Sequence, residues 1–289
     1  MARCDAALAT DGARAAALAA LALPHAIGMD ARIACLERAR AGLCANQHAL
    51  RCELGLELAV CLHRRGGARA ALSAVADSLA EALEAGAEVV AVVVETIGAM
   101  IASRLGHRVE SDLLFDAAHV RAARAGTSSL GFVAGVRAIR ALEDDDPWSA
   151  EAGIACSLEL VDVTLTRGVV VWLAAWRARA LARCGRVVDA VDALAPAFAG
   201  AVDAGPEDLV AHCLDAFAEV SLLAGRPDES VVATATATSL RTLIGFPRVE
   251  HELAVTRRVA AACGGRRLPE LSSLEATGLA ETTLRELTR

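Results

Sequence analysis

Apolar residues recur every three or four positions along most of this sequence, in runs that glycines separate. The clearest pair of runs covers residues 172–184 and 186–202, with Gly185 between them and Gly205 after them. This spacing is typical of amphipathic helices, each of which buries one face. Glycine readily adopts the left-handed conformation in which many helices end. The pattern predicts a helix hairpin whose apolar faces need neighbouring hairpins to cover them.

The breaks between helices recur at a nearly constant interval. One series of break residues has successive differences of 38, 40, 39, 40, 40 and 39, and a second series, at the ends of the following helices, has differences of 40, 42, 37 and 40. The first series is Gly28, Gly66, Gly106, Asp145, Gly185, Gly225 and Gly264, and the second is Gly86, Gly126, Gly168, Gly205 and Gly245. Two interleaved series with one period indicate a stacked array of helix hairpins.

Small residues hold fixed positions around the five breaks from Gly66 to Gly225. The residues seven before, five after and twelve after each of these breaks are all alanine or serine. They are Ala59, Ala99, Ala138, Ala178 and Ala218; Ala71, Ser111, Ala150, Ala190 and Ser230; and Ser78, Ala118, Ser157, Ala197 and Ala237. Because small side chains let paired helices approach closely, we expect these positions at helix–helix contacts, with bulkier residues such as Leu62 and Leu181 filling the gaps.

This pattern resembles the tetratricopeptide repeat, which places small residues at these offsets around a helix–turn–helix bend. The clearest copy is LARCGRVVDAVDAL, and the resemblance covers roughly residues 50–245. The family repeat has 34 residues, whereas the period here is about 40, which implies slightly longer helices. The resemblance implies an all-α fold, a right-handed α-solenoid of about six to seven hairpins over residues 1–265. A C-terminal tail or linker follows over residues 266–289.

The periodicity also predicts the bounds of the helices. The expected pairs are 2–22 with 29–43, 47–65 with 68–85, 87–105 with 109–125, 128–143 with 147–166, 169–184 with 186–203 and 207–224 with 227–243, followed by an unpaired helix at 247–263. The acidic run that ends at Asp146 fits a helix start, since Pro147 suits a first turn and aspartates suit its positive end. In the tail we expect one further helix around residues 279–287.

Charge and cysteine content narrow the class of protein. The net charge is −7 and every basic residue is arginine or histidine, which argues against a nucleic-acid surface over the bulk of the chain. Nine cysteines occur without a C-x-x-C motif, so we expect reduced thiols in a cytoplasmic protein. The N-terminus lacks the basic and apolar segments of a signal peptide. The apolar run at 89–101 is too short to span a bilayer.

No arrangement of residues typical of a catalytic site is recognisable. The sequence has no lysine, no phosphate-binding loop and no Gly-x-Ser-x-Gly motif, and its seven histidines are scattered. We therefore expect a protein that is not an enzyme and that has no cofactor. Cys44, His48 and Cys52 share one helix face and are a candidate metal site. We rank it below a structural role because no further ligand completes the set, and we expect no metal.

In such a solenoid the first helix of each pair lines the concave face. Counting back from each break identifies the inward positions, which include tryptophan, phenylalanine and arginine, the residue types that anchor peptides and stack on ligand rings. The alternative for Trp172 and Phe132 is that they only fill the stack. The predicted ligand- or partner-binding residues are Arg64, Met100, Arg104, Phe132, Trp172, Arg179, Arg183, His212 and Asp215.

The end of the sequence carries a second resemblance. Residues 241–247, RTLIGFP, then a helix and Cys263-Gly264-Gly265 resemble the close of the helical-repeat region in large LuxR-type bacterial regulators with an amino-terminal ATPase. In that group a DNA-binding helix-turn-helix follows, and Leu287-Thr288-Arg289 is similar to its opening residues.

This resemblance implies a sensor region that binds a small-molecule inducer or a regulatory protein. It would meet DNA only through a helix-turn-helix that this chain lacks, and it would have no contact with a membrane. The alternative is a free-standing interaction scaffold with tetratricopeptide-like repeats. The sequence leaves open whether the protein forms a homodimer.

Overall fold

The structure is a computed structural model that describes residues 13–20, 28–162, 167–204, 207–262 and 282. Residues 13–20 are helical and are named α1. The following helices are α2 (Met29–Gly42), α3 (His48–Arg64), α4 (Ala68–Glu84), α5 (Glu88–Arg104), α6 (Arg108–Ala125), α7 (Thr127–Glu143), α8 (Pro147–Leu160), α9 (Arg167–Arg183), α10 (Val187–Ala204), α11 (Glu207–Leu223), α12 (Pro227–Leu243) and α13 (Glu250–Ala262). No strand occurs in these ranges, so the predicted all-α repeat fold is confirmed.

The chain divides into two compact units. The first unit comprises Met1–Ser129 with Gly245–Pro247, and the second comprises Leu130–Ile244 with Arg248–Arg289. Within the first unit α3 packs against α4 and α5 packs against α6; within the second, α9 packs against α10 and α11 packs against α12. Neighbouring hairpins also contact each other within each unit, since α4 packs on α5 and α11 packs on α9. Each unit is therefore a stack of helix hairpins.

The fifteen small residues around the breaks all lie in helix–helix contacts. Every one of them is buried, and the most exposed, Ala138, exposes only 7% of its surface. The serines among them also satisfy their hydroxyl groups. Ser157 Oγ donates to the carbonyl oxygen of Gly131 at 2.6 Å, and Ser230 Oγ donates to that of Ala218 at 2.6 Å. The predicted role of this column of small residues in close helix packing is confirmed.

Tight turns with one left-handed residue join the helices of a pair. Gly66, Gly106, Gly185 and Gly225 have φ angles of 88°, 80°, 78° and 74°. At Gly185 the turn is a Schellman motif, in which Gly185 N donates to Ala182 O and Arg186 N donates to Leu181 O. Asp145 takes the same position in its repeat with a φ of 66° and is the non-glycine residue with positive φ in the described ranges. The break series therefore has a direct backbone cause.

The start of α8 agrees with the sequence, but its end does not. Asp146 caps the helix, since its Oδ1 accepts from Ser149 N at 3.1 Å, and Pro147 follows in the first turn. The helix ends at Leu160 with Val161 extended, whereas the periodicity predicts an end at residue 166. The β-branched residues that follow Leu160 have low helix propensity, which favours the earlier end.

The assignment of Gly168 as a helix end is also wrong. Gly168 lies in the first turn of α9 and is not among the glycines that have a positive φ. The last helix begins at Glu250, three residues after the predicted start. Gly205, Gly264 and the predicted tail helix lie outside the described residues, apart from Thr282, which is helical.

Candidate functional site

The three predicted residues of the first unit lie on neighbouring first helices, α3 and α5. Arg64, Met100 and Arg104 are each partly exposed. The guanidinium of Arg64 lies 3.7 Å from the centroid of the Phe246 ring, and its Nη1 donates to the carbonyl oxygen of Pro247 at 3.1 Å. Arg64 therefore already stacks on an aromatic ring of its own unit, while Met100 and Arg104 lie one turn apart on α5.

Three ring-bearing residues occupy equivalent positions in the second unit. Phe132, Trp172 and His212 lie on α7, α9 and α11, forty residues apart in each case, and all three are partly exposed. Trp172 also packs against the buried cluster that contains Leu173 and Trp176. We call these three residues the ring column. It is the part of the predicted site in which the fold repeats one kind of side chain along successive first helices.

The helices that carry Trp172 and His212 are joined by an interior ionic network centred on Glu219 of α11. Glu219 accepts from Arg179 Nε at 2.6 Å, from Arg183 Nε at 2.7 Å and from Arg258 Nη2 at 2.6 Å. Only 2% of Glu219 and 6% of Arg179 are exposed. Burial alone would raise the pKa of Glu219, but the three arginines outweigh it and lower the pKa to about 2. Glu219 is therefore ionised and links α9, α11 and α13.

A second ionic cluster surrounds Asp215, one turn earlier on α11. Its Oδ2 accepts from Arg241 Nη2 at 2.8 Å, and its Oδ1 accepts from Arg248 Nη2 at 2.6 Å. Burial would raise the pKa of Asp215, but these two arginines lower it below the usual value. Glu252 lies 3.5 Å from Arg241 and 3.7 Å from His212 Nδ1. Like the first cluster, it joins helices of the repeat.

The ionic partners of the predicted residues were missed in the sequence. Arg179 and Asp215 are buried and paired within the chain, and Arg183 also donates to the carbonyl oxygen of Leu142 at 3.0 Å. The sequence does contain a signal for these ion pairs. The residues that lie six positions before successive breaks alternate in charge over the last three repeats. This column reads Val60, Met100, Ile139, Arg179, Glu219 and Arg258. The structure therefore gives Arg179, Arg183 and Asp215 packing partners, and their part in ligand binding stays a prediction.

The candidate metal residues do not converge. Cys44 is exposed, Cys52 is buried, and His48 Nδ1 donates to Glu81 Oε2 at 2.7 Å. In the described part of the chain no group of three or more His, Cys, Asp or Glu residues could hold a metal ion. Burial raises the pKa of the Cys52 thiol to about 11 and that of Cys213 to about 12. These two thiols therefore stay protonated at neutral pH and are poor nucleophiles.

Comparison with known proteins adds no family. No family model matches this sequence, and no curated protein matches it. Among the described helices none combines the length and the apolar content needed to cross a membrane.

Proposed function

We propose that this chain is a regulatory helical-repeat domain that senses an inducer or a partner protein in the cytoplasm, as the sensor region of a LuxR-type transcriptional regulator. The observation that supports this proposal is the ring column of Phe132, Trp172 and His212, which recurs on three successive first helices and is partly exposed. Aromatic side chains on a rigid scaffold bind planar, sugar-like or peptide ligands over a large area at low entropic cost.

The ionic network between two helices of the ring column suits a regulatory role. A ligand changes a conformational equilibrium only through a difference in its affinity for the two states. Arg179 and Arg183 on the helix of Trp172 pair with Glu219 on the helix of His212. A ligand held between Trp172 and His212 therefore acts on two helices that these ion pairs already couple, and a change in their spacing would pass to α13 through Arg258.

The first test replaces Trp172 with alanine and compares it with Trp148→Ala. Trp148 is a matched control, since it is the same residue type, lies on α8 and is 62% exposed. A thermal-shift screen with a metabolite and peptide library should give hits on the unaltered protein that are lost in Trp172→Ala and kept in Trp148→Ala. Circular dichroism should show unchanged helix content in both variants.

Two outcomes of this test contradict the binding role. If Trp172→Ala loses its helical signal, the residue serves to fill the stack. If no hit distinguishes the two variants, the ring column is not the binding surface. The regulator assignment has its own test, which is the coding sequence on either side of this chain. An in-frame helix-turn-helix downstream and an ATPase upstream support it, and a scaffold protein is favoured if neither is encoded.

A further inference from the structure

The first unit has an open groove on a different side of α3 from the predicted row. The groove lies between α2 and α4, has a volume of about 580 Å³, and is lined by Glu37, Arg40, Arg51, Leu58, Asp77 and Glu81 among others. Small-molecule sites commonly have volumes of roughly 300–1,000 Å³. Because an α-helix turns about 100° per residue, Arg51 and Arg64 lie about 140° apart around α3. The groove is therefore separate from the face that carries Arg64.

Both arginines of the groove have donors that the protein does not use. Arg40 makes one long hydrogen bond, from Nη1 to Asp77 Oδ2 at 3.4 Å, and its Nε is buried without an acceptor among the described residues. Arg51 donates from Nε to Glu81 Oε1 at 2.6 Å, which leaves its two terminal nitrogens for another acceptor. A guanidinium has five N–H donors in a fork that fits a carboxylate. Two partly unused guanidinium groups thus line one groove.

Arg40 is also positioned by its surroundings. A Cβ atom placed on Gly55 of α3 would lie 3.6 Å from Arg40 Cζ. The guanidinium of Arg40 therefore lies close to the backbone of α3 at Gly55, at a distance at which even a methyl group would be in ordinary van der Waals contact with it. Arg40 is partly buried as a result, so less side-chain entropy is lost when it binds a ligand than for a fully exposed arginine.

The acidic residues of the groove decide which ligand fits. Glu37 has no ion pair or hydrogen bond with the described residues, and Asp77 is paired only through the long contact with Arg40. Glu81 is already bound by Arg51 and His48. Two arginines and three carboxylates give the lining a net charge of −1. This balance disfavours a phosphate dianion and favours a ligand that carries one group of each sign.

We propose that this groove binds a zwitterion of the size of an amino acid or a short peptide. The ligand carboxylate bonds to Arg40 and Arg51, and its ammonium group lies near Glu37 and Asp77. Leu58 offers an apolar contact on the floor of the groove. The site goes beyond the proposed function and does not depend on it, because it uses none of the residues of the ring column.

The test begins with a thermal-shift screen of the full chain against the twenty amino acids and a panel of dipeptides and tripeptides at low salt. The strongest hits are then measured by titration calorimetry, each beside its N-acetylated form and its C-terminal amide. We expect hits that need both free groups and that weaken about ten-fold or more when either one is blocked. Hits among free amino acids, among peptides or among both identify the source of the zwitterion.

Substitutions then place the bound ligand. Arg40→Gln and Arg51→Gln should each weaken binding of the best hit, so that its dissociation constant rises about ten-fold or more. Arg65→Gln is the matched control, since Arg65 pairs with Asp30 on the surface and does not line the groove. Circular dichroism shows whether each variant is folded. If one variant is unfolded, the other variant and the binding of the blocked ligands to the unaltered chain still test the proposal.

Four results would overturn the proposal. The screen yields no hit, the blocked forms bind as well as the free zwitterions, or binding is unchanged in both arginine variants that remain folded. Inorganic phosphate that binds more tightly than every zwitterion would contradict the proposed ligand class.

Discussion

Both units bury glutamate, and Glu95 of the first unit and Glu219 of the second are used differently. Glu95 of the first unit, on α5, is paired with Arg121 of α6 at 3.2 Å, and Arg121 makes a shorter bond to Glu88 at 2.8 Å. Both ends of that pair lie within one hairpin. Glu219 of the second unit accepts hydrogen bonds from Arg179 and Arg183 of α9 and from Arg258 of α13. It therefore links one first helix to those on both sides of it.

The contrast shows how one repeat position can change its chemistry along an array. In the first unit the position six before the break holds Val60 and Met100, whereas in the second unit Ile139 is followed there by Arg179 and Glu219. A buried ion pair is weak evidence for stability, but breaking one by removing a single partner is costly. We therefore expect the later repeats of the second unit to depend on charge at a position where the repeats of the first unit have an apolar side chain.

The largest expected effect follows from Glu219→Gln. The change leaves Arg179 buried with its countercharge removed, and such a loss typically costs about 3–5 kcal/mol of unfolding free energy. Urea unfolding followed by circular dichroism measures it. Glu95→Gln is the matched control and should cost less, because Arg121 keeps its bond to Glu88. Equal losses in the two variants would contradict the difference between the units.

Acid should weaken the protein through the same residue. The folded-state pKa of Glu219 is about 2, against about 4.3 for an unfolded glutamate. A carboxyl group with a lowered pKa adds stability above its unfolded pKa, and that stability is lost as the pH falls through the folded pKa. The contribution, about 3 kcal/mol, should decline from about pH 5 towards pH 2, and the lowered pKa of Asp215 adds to the same trend.

Urea midpoints measured at intervals from pH 7 to pH 3 check this prediction. The unaltered protein should lose stability below about pH 5, and Glu219→Gln should show a shallower decline because one carboxyl group is gone. A decline of the same steepness in Glu219→Gln would mean that other carboxyl groups cause the acid sensitivity.

The helices and their contacts could be predicted from the sequence because each signal has a local physical cause. Glycine at Gly185 permits a left-handed turn, and alanine at Ala178 permits close approach, so period and offset alone identify both. The predicted end of α8 is wrong because it treats Gly168 as a helix end, although nothing in the sequence requires a left-handed conformation there. The backbone of α9 simply includes it.

The candidate site was less predictable for a different reason. Which side chain neutralises Arg179 depends on a residue forty positions away, and the apolar periodicity of a helix carries no information about that partner. The alternation of charge at the equivalent position, from Arg179 to Glu219 to Arg258, would have indicated it. The groove beside Arg40 and Arg51 depends on three helices at once and on spare donors, which only the structure shows.

A smaller effect concerns a feature that the two units share. Both place a helical glycine against a buried serine: a Cβ on Gly55 would lie 2.2 Å from Ser78 Oγ, and one on Gly135 would lie 2.5 Å from Ser157 Oγ and 2.7 Å from Leu173 Cδ2. Ala is favoured over Gly in a helix by about 1 kcal/mol, which offsets part of the clash.

Gly135→Ala should nevertheless lower the unfolding free energy by about 1–2 kcal/mol, because Leu173 is buried and Ser157 already bonds to Gly131. Gly55→Ala should cost less, because its Cβ clashes only with Ser78 Oγ, which bonds to Ala74 O at 2.7 Å, and with no buried leucine. Urea unfolding of both variants tests this order. A larger loss in Gly55→Ala would mean that the first unit packs its hairpin more rigidly than the second.

The smallest expected effect concerns the residue type at the breaks between paired helices. The first unit has glycine at Gly66 and Gly106, but Asp145 of the second unit holds a φ of 66° with a side chain present. Left-handed backbone costs a non-glycine residue about 1 kcal/mol, less for aspartate than for most. Asp145→Gly should therefore raise the melting temperature by a few degrees at most, because the exposed Asp145 carboxylate lies 3.9 Å from Arg183 and contributes little.

The adjacent Asp146→Ala gives the opposite sign and serves as the control. Asp146 accepts from Ser149 N at the start of α8, so its removal leaves that donor without its cap and should lower the melting temperature. Differential scanning calorimetry resolves both shifts. If Asp145→Gly lowers the melting temperature instead, the flexibility that glycine adds to the unfolded chain outweighs the relief of backbone strain. Aspartate would then be the more stabilising residue at this break. Glycine at the other breaks would then be explained by the turn conformation and not by a gain in stability.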